Sequence, residues 1–289
     1  GPSFAELYAP GARTDKAHGV LVAWVAWYRE CSPVAHSGPR GQHQDAEEIP
    51  LDIVYPGREW ARLSPDDVGL DATRIALLGE RVAAAAGGSP YRWVVTRFGY
   101  LVAEWGQGIE PEKRINQSSS GKSYYSSVLG IAVDEGVIAS LDARAYDHYP
   151  EMMDIAEDEG PKAGRYPFPE NREITFRQLI GNTSGYMKPG EAPGQVFHYQ
   201  TYGMNILTNA VASAYGLYDS SDPARLPGFA RLVEEKMRDR IDGAWEHFYT
   251  DFDHPPAAKK HIFGHSLRVS STALDTARSG HLWLNGGAW

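Results

Sequence analysis

Cysteine is nearly absent: Cys31 is the single one in 289 residues. That rules out an internal disulfide and any zinc site built on cysteines. Long apolar runs are missing too. The longest, Gly19 to Tyr28, is about half of the eighteen or so residues a membrane span needs, so no span is expected. Positive charge is in the minority, with 28 Lys and Arg against 37 Asp and Glu for a net charge of −9. The basic residues are scattered and form no stripe, which argues against nucleic-acid binding.

Several catalytic signatures are also missing. No Gly-x-Ser-x-Gly elbow occurs, because Thr183-Ser184-Gly185 lacks its leading glycine. Gly121-Lys122-Ser123 matches the end of a phosphate-binding loop, but Asn116 stands where that loop needs its first glycine, and Glu110 to Arg114 is charged. His261 and His265 have a spacing that can chelate zinc. No Glu follows the first, and Gly264 interrupts the local helix, so both are read as surface or loop histidines. No metal and no organic cofactor is expected.

What is present suits a packed protein acting on small molecules, since 42% of residues are hydrophobic and 11% aromatic. Residues 1–58 read as an N-terminal extension, with one apolar segment, Val20 to Trp27, before a Gly/Pro-rich stretch. Gly1-Pro2-Ser3 reads as the remnant of a protease cleavage. Asp71 is placed to cap a helix through Ile75, Leu78 and Val82 that stops at Gly87-Gly88. Tyr91–Thr96 and Tyr100–Trp105 predict an antiparallel hairpin around Arg97-Phe98-Gly99. From Tyr124 to Val137 the apolar period becomes helical. Further helices are predicted over Arg177–Ile180, Asn205–Tyr215, Pro227–Ile241 and Ser271–Leu284, with an irregular acidic connection from Tyr149 to Glu173. The expectation is a mixed α/β (α+β) chain of two lobes within one domain at 59–289. A sheet layer over 59–109 carries the antiparallel hairpin, and 110–289 forms an all-helical lobe.

Of all the serines only Ser119 has a lysine three places on, in Ser119-Ser120-Gly121-Lys122 at the start of a helix. Residues three apart on a helix are close enough for an unprotonated lysine to take the serine proton. The first turn also offers free N–H groups and the positive end of the helix dipole to a developing negative charge.

Around this pair, Trp60 to Trp289 resembles the β-lactamase-related serine hydrolases: class C β-lactamases, DD-peptidases and the esterases and amide hydrolases built like them. The matching stretches run in order: Leu63-Ser64-Pro65-Asp66-Asp67-Val68-Gly69-Leu70, the hairpin, the nucleophile helix ending Asp134-Glu135-Gly136-Val137-Ile138, and Tyr149-Pro150-Glu151. Ile174-Thr175-Phe176-Arg177-Gln178-Leu179-Ile180, Asn182-Thr183-Ser184-Gly185-Tyr186 and Ser271-Thr272-Ala273-Leu274-Asp275-Thr276-Ala277-Arg278 follow. The resemblance implies a β-lactamase or penicillin-binding-protein-like fold and an acyl-enzyme on Ser119. It also implies that Tyr199, after the turn Pro193-Gly194, shares the proton work with Lys122. An ester or amide substrate follows, and by analogy a periplasmic or secreted location.

Two departures from the family pattern stand out. Thr201 occupies the place where the family usually has a substrate-binding asparagine. The third family motif, Lys-Thr-Gly or His-x-Gly on a strand, should lie beyond Trp289. Only two strands are predicted before that point, so the C-terminal strands are expected to be missing, to be supplied by a further fragment or second chain, or to be replaced by Val20–Trp27. Val94, Leu101 and Leu78 would otherwise lack cover. Two alternatives share the sequence features: a non-catalytic binding or scaffold relative, and an acyltransferase using the same acyl-enzyme.

Overall fold

The computed structural model describes residues 52–251 and 259–289, so Val20–Trp27 and Cys31 lie outside the described residues. The first helix, α1 (Ala72–Ala86), begins where Asp71 accepts a hydrogen bond from the Arg74 amide and ends at Gly87, whose φ is +55°. It lies on the strand behind it through Gly79. A Cβ at that position would sit 2.5 Å from the Trp105 indole nitrogen.

Strands β1 (Tyr91–Arg97) and β2 (Tyr100–Gln107) form the antiparallel hairpin. Arg97 pairs with Tyr100, which leaves the two-residue turn Phe98-Gly99 with φ of 53° and 86°. That is the positive-φ pair that matches strand twist. The turn is one residue shorter than Arg97-Phe98-Gly99. Along the outer edge of β2, the Leu101 amide donates to Ala61 O at 2.9 Å and the Leu63 amide to Leu101 O at 3.3 Å. The hairpin is thus paired with residues before 106. Leu101 is 2% exposed, so this residue is covered.

The reading of 110–289 as all-helical needs correction. Three strands lie within it, β3 (Ile115–Asn116), β4 (Glu246–Asp251) and β5 (His265–Ser271), in an antiparallel sheet of order β3-β5-β4. The hairpin forms a separate two-stranded sheet. The helices are α2 (Ser123–Asp134), α3 (Phe176–Ile180), α4 (Thr201–Ala214), α5 (Gly228–Lys236), α6 (Lys260–Phe263) and α7 (Ala273–Leu284); α4, α6 and α7 lie against β5, while α3 and α5 pack on α4. The predicted helix over Pro227–Ile241 ends earlier, at Lys236, and a separate 3-10 turn covers Arg238–Arg240.

The core is centred on α4, which is buried continuously from Gly203 to Ala212. Burial on every side requires its polar groups to find partners. Asn205 Nδ2 donates to Phe263 O at 2.8 Å, and Asn209 Nδ2 to Ile262 O at 3.2 Å. These bonds fix α6 and the start of β5. Tyr124, Tyr125, Val128, Leu129 and Ala132 form the buried face of α2. Tyr125 seals it to β5 through a hydroxyl bond to Leu267 O at 2.8 Å.

Candidate active site

Ser119 lies in a 3-10 turn, Ser118–Lys122, between β3 and α2. The α-helix proper starts one residue after Lys122, so the spacing of three is realised in the tighter helix that precedes it. The turn is held from behind by β5, because the Gln117 amide donates to Val269 O at 2.8 Å. Ser118, just before the candidate nucleophile, has φ of +48°. A left-handed conformation costs a non-glycine residue energy, and here the Ser118 amide bond to Asn116 Oδ1 at 2.9 Å supports it.

Ser119 is exposed, whereas Lys122 is 9% exposed. Lys122 Nζ donates to Ser119 Oγ at 3.3 Å. Burial fixes the lysine stem and leaves its nitrogen facing the hydroxyl. Tyr199 also approaches the amine: Nζ is 5.6 Å from the centre of its ring. The tyrosine is 51% exposed, so it is not a core aromatic. Thr201 begins α4 two residues later. The structure therefore brings Ser119, Lys122 and Tyr199 to one surface, with Tyr199 presenting its ring to the amine.

The loop that carries Tyr199 is tied to the turn at Asn182. The Gly194 amide donates to Thr183 O and the His198 amide to Asn182 O, both at 2.7 Å. Gln200 completes the attachment through Nε2 to Ser184 Oγ at 3.2 Å. The same segment holds residues that sequence reasoning did not single out. Lys188 is 5% exposed, and its Nζ is 3.7 Å from Glu191 Oε2, while His198 Nδ1 is 2.9 Å from Glu191 Oε1. Burial holds the Lys188 amine below its ordinary value, against the opposing pull of Glu191. For Glu191 burial acts upward, but the His198 bond and the Lys188 charge outweigh it and the carboxyl is lowered. No known motif marks this trio; its members lie within eleven consecutive residues, and what the sequence hides is the burial of Lys188.

The expectation of surface or loop histidines fails for His265. It opens β5 and is 8% exposed, with Nδ1 2.8 Å from Asp251 Oδ1. His261 lies on α6 beside it. Gly264 does end the helix, but the chain passes directly into a strand.

No protein-family model matches the chain, and neither does any curated protein. Among solved structures, one from Bacteroides dorei DSM 17855, provisionally named a beta-lactamase, superposes with a TM-score of 0.52 at 17% identity, covering 72% of this chain and 62% of that one. A class C beta lactamase from Rhodobacter sphaeroides superposes with a TM-score of 0.49 at 15% identity, over 74% of this chain and 66% of that one. The chain thus spans less than two thirds of the Bacteroides protein, with which it shares its fold.

Proposed function

We propose that this chain, whose fold is that of the β-lactamase-related serine hydrolases, forms an acyl-enzyme at Ser119 on an ester or amide substrate. The observation that carries the reading is the 3.3 Å approach of the buried Lys122 amine to the exposed Ser119 hydroxyl. Ser119 Oγ attacks the carbonyl carbon while Lys122 Nζ accepts its proton. N–H groups of the first helical turn face the oxyanion. The proton passes by way of the Lys122–Tyr199 pair to the departing alcohol or amine, and water then releases the acyl group from Ser119. The 5.6 Å between Lys122 Nζ and the Tyr199 ring, and the tie of its loop to Asn182, support this role for Tyr199. No helix among the described residues is long and apolar enough to cross a membrane.

A serine-directed fluorophosphonate tests the assignment. It should add its mass to a single residue, Ser119, and Ser119→Ala should abolish labelling. Adduct on Ser123 or Ser184, or labelling that survives Ser119→Ala, would overturn it.

A further inference from the structure

We propose that Asp251, His261 and His265 form a binding site for one zinc-class divalent cation, separate from the serine–lysine pair. Asp251 closes β4 and is the register partner of His265, which opens β5; His261 comes from α6 just ahead. The nearest ring nitrogen of each histidine is Nδ1, at 2.8 Å (His265) and 3.6 Å (His261) from the same carboxylate oxygen, Asp251 Oδ1. All three ligating atoms lie within 4.8 Å of one another. Tetrahedral bonds of about 2.0–2.1 Å place ligand atoms roughly 3.3 Å apart, so the cluster needs only small adjustments to close on a cation.

A simple His–Asp hydrogen bond explains His265 but not His261. His261 Nδ1 is buried and has no hydrogen-bond partner. Its 3.6 Å separation from the carboxylate is too long for such a bond, so the nitrogen has left water for nothing the protein supplies. A metal ion between the three groups would satisfy it.

The surroundings hold the ligands in place, as outer partners do in metal sites. The His265 ring is stacked on Tyr249, with centroids 4.1 Å apart and planes at 13°, and faces Tyr218 on the other side at 5.6 Å and 26°. The His261 carbonyl accepts from the Tyr218 hydroxyl at 2.6 Å, which fixes the α6 backbone. Two imidazoles and one carboxylate favour zinc, nickel, cobalt or copper over calcium or magnesium. Three protein ligands leave a position open, and the cluster lines a cleft of about 620 Å³ with Ser221 and Asp222, so water or a small ligand can complete the coordination.

The site is distinct from the candidate active site. His265 is four residues from Val269, roughly 13 Å along the strand, and it is Val269 that holds the Ser119 turn. A cation here joins the end of β4 to α6 and the start of β5.

The full chain, stripped with a chelator, is to be titrated with zinc chloride by calorimetry and with cobalt(II) by visible absorption. Expected are one zinc per chain and tetrahedral cobalt bands. His261→Ala and Asp251→Asn should each weaken zinc at least about tenfold and remove the bands, while His198→Ala, at a histidine–carboxylate pair away from the cluster, binds like the parent. Near-UV circular dichroism checks the fold of each variant; if His261→Ala loses its native spectrum, His261→Gln makes the same comparison. Absence of stoichiometric zinc in the parent, or undiminished affinity in both site variants, would overturn the proposal.

Discussion

Thr201 tests the substrate side of the reading at the level of one side chain. It stands at the start of α4, two residues after Tyr199, where the resemblance calls for an asparagine. A threonine is shorter and offers a hydroxyl in place of an amide, so it cannot donate and accept as a carboxamide does towards a substrate amide. The expected result is a larger kcat/KM for p-nitrophenyl acetate than for nitrocefin, and Thr201→Asn should narrow the ratio. Faster nitrocefin turnover by the parent would point to a β-lactamase. The spacing marks Ser119 and Lys122 as the one Ser-x-x-Lys pair of the chain, and the resemblance gives that pair its weight. Tyr199 needed the resemblance, because nothing local distinguishes one tyrosine among 16. Lys188 and Glu191 were hidden because burial and pairing, which the sequence does not display, are what make them unusual.

The secondary-structure elements differ in how local their causes are. Helix α7 starts at Thr272, whose side-chain oxygen accepts from the Asp275 amide at 3.1 Å, and it was placed within two residues from the sequence. Such a cap is self-contained. Thr272→Ala should therefore lower unfolding free energy by about 1 kcal/mol in urea titration, with Thr272→Ser close to the parent; an unchanged midpoint in the alanine variant would mean the cap contributes nothing. Helix α1 and the hairpin were legible for the same reason, since Asp71, Gly87 and Phe98-Gly99 act within a few residues. Strand β5 was not. His265-Ser266-Leu267-Arg268-Val269-Ser270-Ser271 has few β-branched residues, and it becomes a strand because β3 and β4 flank it and α2 and α4 cover it. Its two-residue partner β3 is too short to give any periodic signal.

For the molecule as a whole, pH reports on two histidines buried in neutral form. His247 Nε2 accepts from the Trp245 indole N–H at 3.1 Å while its Nδ1 faces Glu234 at 3.2 Å; a second ring proton would break the first bond. His281 Nε2 is 2.9 Å from Val54 O. Burial lowers both rings below the ordinary 6.5, in His247 against the opposing effect of Glu234 and in His281 against that of the Val54 bond. Between the lowered folded value and 6.5 the unfolded chain binds more protons than the folded one. Stability is therefore fully present above about pH 6.5 and falls as pH drops below it, by up to about 1.4 kcal/mol per pH unit for each histidine. Urea unfolding at pH 7.5, 6.5 and 5.5 should show this decline, with a shallower slope in His247→Asn; constant stability over that range would refute it. The sequence by itself determined helices α1, α2, α3 and α7, the hairpin and the serine–lysine spacing, because caps, turn glycines and side-chain reach on a helix act over three or four residues. Tertiary structure alone decided the second sheet, the burial of Lys122, the orientation of Tyr199 and the meeting of Asp251 with His261 and His265. Those depend on which distant segments exclude water from one another, and apart from the four-residue spacing of His261 and His265 no spacing along the chain encodes them.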